Sequence, residues 1–107
     1  MIEGESLKKI ISVLLVEDQP IDARMIQVML RKEKEAHPLM QEFRVLHATT
    51  LSAALAILPL HEVDVVLLDL NLPDSKGTES VSRMVTFDPD LPVVVITGET
   101  EVKVAIN

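Results

Sequence analysis

At 107 residues, 48% of them apolar and none of them cysteine, the chain is sized for one domain with a real core, and disulfides and Cys-based metal sites are excluded. Its net charge of −7, with scattered Lys and Arg, argues against a nucleic-acid surface. No apolar run approaches the ~20 residues of a transmembrane helix. The start, Met1-Ile2-Glu3-Gly4-Glu5, is not a signal peptide, so the expected compartment is the cytoplasm.

Residues 1–9 read as a lead-in to a single domain. Residues 10–16 form a continuous β-branched and Leu run, as expected of a strand covered on both faces. Pro20 suits the first turn of a helix, with Asp18 or Gln19 near its N-cap. Ile21, Met25, Val28, Met29 and Lys32 follow helical spacing, and Pro38 ends the element. The cluster Arg31-Lys32-Glu33-Lys34 is interrupted by Glu33 and reads as the solvated end of this helix.

A second strand is expected over residues 43–48. Next comes a helix with the face Leu51, Ala54, Leu55 and Leu58, capped by Thr49 or Thr50 and stopped near Pro59. Residues 64–70 form a third strand, followed by the turn Asn71-Leu72-Pro73-Asp74. Gly77 permits a sharp entry into a helix whose inner face is Val81, Met84 and Val85. Residues 88–92 are a loop and 93–97 a fourth strand. Residues 99–107 fit two patterns: Val102, Ala105 and Ile106 suit a helix, while Val102, Val104 and Ile106 suit a strand. A helix is expected, because the next parallel strand would require a crossover.

Three apolar runs end in polar groups. Val13 to Val16 is followed by Glu17-Asp18, Val65 to Leu68 by Asp69, and Val93 to Ile96 by Thr97. Carboxylates at the ends of buried strands are costly to desolvate unless a cation compensates them. In open α/β sheets the carboxyl edge is where ligands bind. The pattern therefore points to one magnesium-dependent, phosphoryl-accepting site. Each residue also has a plainer reading: Asp18 and Thr97 as helix caps, Glu17 as a partner of a helix's positive end, Asp69 as a turn residue before Pro73. His37, His47 and His61 have no ligand-spaced partner and read as structural. No Gly-rich phosphate loop follows the first strand, which leaves Rossmann or P-loop nucleotide binding unsupported. A haloacid-dehalogenase-type hydrolase would carry an aspartate where this chain has Asn71.

With these residues in order on a βα alternation, the chain resembles the receiver domains of two-component response regulators. The resemblance runs from Ile10 to Ile106 and rests on Glu17-Asp18, Asp69, Pro73, Gly77 and Thr97. It implies a flavodoxin-like, doubly wound α/β fold with a parallel sheet in the order 2-1-3-4. It also implies that Asp69 accepts a phosphoryl group from a sensor histidine kinase or phosphotransfer protein and that Thr97 follows that group. Mg2+ would be held by Asp18, Asp69 and the backbone carbonyl of Asn71, with Glu17 acting mainly through water. The implied output is a conformational switch read by a downstream protein partner, not turnover of an external substrate. The competing expectation is a receiver-like interaction module that signals without phosphorylation.

The family's fifth strand with its phosphoryl-contacting lysine, a nearby aromatic switch residue and a fifth helix have no counterpart in the resemblance. Lys103 falls too early to replace that lysine, a loss of roughly 1.5–3 kcal/mol of charge-assisted bonding. The expectation is a receiver truncated after its fourth strand. Its residues 93–96 would form an unpaired apolar edge beside an uncovered sheet face. Such a chain should belong to a longer polypeptide or self-associate through the fourth strand or that face.

Overall fold

The computed structural model describes residues 9–37, 41–96 and 102–105. Strand β1 (Lys9–Val16) leads into helix α1 (Pro20–Ala36), then β2 (Gln41–Ala48) and α2 (Leu51–Ile57). A single 3-10 turn (Leu58–Leu60) accommodates Pro59 directly after α2. Strand β3 (Val65–Asp69), helix α3 (Thr78–Phe87), β4 (Val93–Ile96) and β5 (Val102–Ala105) complete the order.

The sheet runs β2-β1-β3-β4-β5. Its first four strands are parallel and doubly wound in the expected 2-1-3-4 order. The register aligns Val16 with both Ala48 and Leu68, and Asp69 with Ile96, so the strands finish level at one carboxyl edge.

The end of the chain departs from expectation. Residues 102–105 are not helical but form β5, antiparallel to β4, with Val94 opposite Val104 and Ile96 opposite Val102. The Val-x-Val alternation prevails over the helical spacing, because a strand that runs antiparallel needs no crossover helix. The parallel part of the sheet stops at the fourth strand, as expected, and an antiparallel fifth strand is added beside it. With it, the ladder groups of β4 on that side find partners. Self-association through a bare β4 edge loses its premise.

Alternation along β1 and β3 divides the core between the two faces of the sheet. Leu14, Val16, Val66 and Leu68 join Leu51, Ala54 and Leu58 of the α2 segment and Met84 of α3 in one buried cluster. Val13 and Leu15 are also buried, as is Ala23 of α1. Within α3, Ser80 is fully buried, and its hydroxyl donates to Ser75 Oγ at 2.7 Å.

Gly77 enters α3 at φ 59° and ψ −143°. A Cβ there would meet nothing within 4 Å. The requirement for glycine is therefore one of backbone conformation, not of space. Gly77→Ala is expected to cost about 1–3 kcal/mol in urea unfolding, with no repacking of the core.

Candidate functional site: a carboxylate cluster at the sheet edge

Glu17 leaves the end of β1 fixed by its backbone, with its N–H donating to the Ala48 carbonyl at 3.0 Å. Its carbonyl oxygen lies 2.8 Å from His47 Nε2. No local pattern around His47 places it near the site. What does so is the β1–β2 register, which sets His47 opposite Leu15. The Glu17 side chain is buried, and Oε1 accepts the Gln19 N–H at 3.0 Å, close to the positive start of α1. Part of the plainer reading of Glu17 is thus met.

The plainer reading of Asp18 is not. The N-cap of α1 is Gln19, and that helix start has no side-chain cap. Among the described residues, Asp18 Oδ2 accepts the Gln19 side chain at 3.3 Å, and Oδ1 is buried with no hydrogen-bond partner. A buried, unsatisfied carboxylate oxygen is costly, so its position calls for an explanation.

Asp69 is buried at the end of β3, where Oδ1 accepts the Asn71 N–H at 3.0 Å. The Asn71 side chain is held in turn by Lys76 Nζ at 2.8 Å, and Asn71 and Lys76 pair across the loop as an isolated bridge. Gly77 N–H closes the loop onto the Leu70 carbonyl at 2.8 Å.

Glu17, Asp18 and Asp69 each offer an oxygen within 4.8 Å of the others. Among the described residues, no lysine or arginine forms a salt bridge with any of them. Burial pushes the Glu17 carboxyl up to about 7, opposed by the Gln19 N–H and reinforced by the neighbouring Asp69 carboxylate. Clustered carboxylates with one buried oxygen unpaired suit a hard divalent cation that takes carboxylate ligands and keeps several waters. The donor set fits Mg2+.

The structure thus brings together Glu17, Asp18 and Asp69, with Asn71 directly beside them. Thr97 lies outside the described residues. Asp74, read from sequence only as a turn residue, turns out to cap α2. Its two oxygens accept the Leu51 and Ser52 N–H groups, each at 2.9 Å. These bonds hold its carboxyl below the usual carboxylate range.

The chain matches the response regulator receiver domain family over residues 13–107. It is 31% identical over 93 residues to the probable transcriptional regulatory protein TcrX of Mycobacterium tuberculosis, covering 87% of this chain and 36% of that protein. The chain therefore spans about a third of the length of that curated relative. The non-phosphorylated HemR receiver domain of Leptospira biflexa superposes with a TM-score of 0.65 at 30% identity, covering 85% of this chain and 67% of that one. The response regulator TrrA of Thermotoga maritima, solved in complex with Mg2+-BeF, superposes at 0.69 with 20% identity, covering 84% of this chain and 71% of that one. At that identity it bears on the fold alone. Four parallel strands, their acidic edge and these matches agree: the chain belongs to the response regulator receiver family, a signalling domain of two-component systems.

Proposed function

We propose that Asp69 is the phosphoacceptor and that Asp18, Asp69, Glu17 and the Asn71 backbone carbonyl hold Mg2+. The observation that carries this reading is the cluster itself: three carboxylates within 4.8 Å of one another, with Asp18 Oδ1 buried and unpaired.

In the proposed transfer, an Asp69 carboxylate oxygen attacks the phosphorus of a phosphohistidine. A P–O bond forms, the P–N bond breaks, and the imidazole leaves with its electron pair and takes up a proton. The Asn71 N–H fixes one Asp69 oxygen and so orients the other toward the incoming group. When bound, Mg2+ supplies positive charge against which the phosphate oxygens can approach the acidic cluster. By resemblance, Thr97 follows the phosphoryl group and shifts the population between two packings, which a downstream protein partner reads in the cytoplasm. The donor is proposed to be a sensor histidine kinase or a phosphotransfer protein.

Incubation with a radiolabelled small acyl phosphate tests this reading. Label is expected in Mg2+ and not in chelator, and it should be released by mild base, as an acyl phosphate is. A folded protein that takes no label in Mg2+ would instead be an interaction module working without phosphorylation.

A further inference from the structure

The first turn of a helix leaves its leading N–H groups without intrahelical partners. In α2 these are divided between two sources. Ala53 N–H is taken locally by Thr50 Oγ1 at 3.0 Å. Leu51 and Ser52 N–H are taken by Asp74, which lies 23 and 22 residues away in the loop after Asp69. Asp74 sits inside the stretch closed by the Asn71–Lys76 bridge and by the Gly77-to-Leu70 hydrogen bond. Three residues before it, the Asn71 N–H holds Asp69 Oδ1. A continuous set of short bonds therefore runs from the acidic cluster, through the loop backbone, to the start of α2.

We propose that Asp74 is a positioning residue that couples the carboxylate cluster to the N-terminus of α2, so that an ion held at the cluster tightens α2 and the seating of α2 tightens the ion. The coupling rests on the reading that Asp69 and the Asn71 carbonyl take part in holding Mg2+. Ion binding fixes the backbone at Asn71, and the closed loop passes that restraint to Asp74 with few intervening rotatable bonds. Linkage then requires the reverse effect by the same factor. The depressed carboxyl of Asp74 agrees with its being a committed acceptor.

Backbone amide exchange read by NMR, combined with Mg2+ titration, tests the proposal in the intact chain. In the wild type, Mg2+ is expected to slow exchange at Leu51 and Ser52 by about fivefold, the lower end of coupling between linked sites. Asp74→Ala should lose that response and bind Mg2+ about fivefold more weakly. Asp74→Asn, which keeps one acceptor oxygen and the side-chain shape, should fall between the two and serves if the alanine variant does not fold. Thr50→Ala removes the local cap without touching the loop. It should speed exchange at Ala53 and weaken Mg2+ less than Asp74→Ala does, since the Asp74 bonds to Leu51 and Ser52 remain. A purely structural Asp74 would lower the melting temperature and leave Mg2+ affinity as it was, which overturns the proposal. So does a wild type in which Asn71 responds to Mg2+ while Leu51 and Ser52 do not. If Asn71 and the cluster show no response to Mg2+ at all, the metal reading itself fails, and the coupling fails with it.

Discussion

Asp69→Asn is expected to reduce acyl phosphate labelling to background while the protein stays folded. The substitution keeps the volume nearly constant, and the amide oxygen can still accept the Asn71 N–H that now reaches Oδ1. What it removes is the nucleophile, since an amide oxygen does not form a stable acyl phosphate. It also removes one of three clustered acids, so the metal-free variant should be no less stable than the wild type. Thermal melts alongside labelling separate loss of chemistry from loss of fold. Undiminished labelling of the variant would place the acceptor on another residue.

The second large effect is a dependence of stability on pH that Mg2+ should suppress. In the metal-free protein the Glu17 carboxyl rises from 4.5 to about 7, driven first by burial and then by the charges of Asp69 and Asp22. The folded state therefore holds this proton more tightly than the unfolded chain does. The resulting stability is fully present below about 4.5 and is lost as pH rises through about 7. Mg2+ opposes this proton, because a cation at the cluster favours the ionised Glu17 carboxylate. Stabilisation by Mg2+ should be small at pH 5 and reach about 2.7 kcal/mol at pH 8 when the ion is at one hundred times its dissociation constant. Asp74 acts in the opposite sense and in a separate window. Its carboxyl is depressed, so its contribution is present above the ordinary aspartate range and lost as pH falls below it. Melts in chelator and in Mg2+ across pH 4 to 8 check both, and Glu17→Gln should flatten the upper part of the metal-free curve.

The four parallel strands, the three helices and the acidic edge were legible because each rests on a local signal. Buried parallel strands read as unbroken apolar runs, and Pro20, Thr50 and Gly77 mark helix starts. What sequence could not show depends on pairing between distant residues. Asp74 looks like any turn aspartate until the fold carries it to Leu51 and Ser52. His47 reads as a strand residue until the β1–β2 register sets it against the Glu17 carbonyl. Residues 102–105 fit two periodicities at once, and the choice fell to the hydrogen bonds offered by β4. Local spacing carries no information about such a neighbour.

The uneven covering of the two sheet faces sets an order of opening. The main buried cluster lies under α2 and α3, the helices that start at either end of the acceptor loop's contacts. By contrast, α1 buries only Ala23 fully, while Ile21, Met25 and Met29 along one stripe are 75%, 56% and 62% exposed. Protection against hydrogen exchange follows such differences in burial. Amides in the middle of α1 should exchange through a low-energy local opening, whereas those of β1, β3 and the Met84 turn of α3 should exchange only on global unfolding. Asp69, at the end of β3, then belongs to the slowest unit of the molecule, and α1 can fray and re-form many times between its openings.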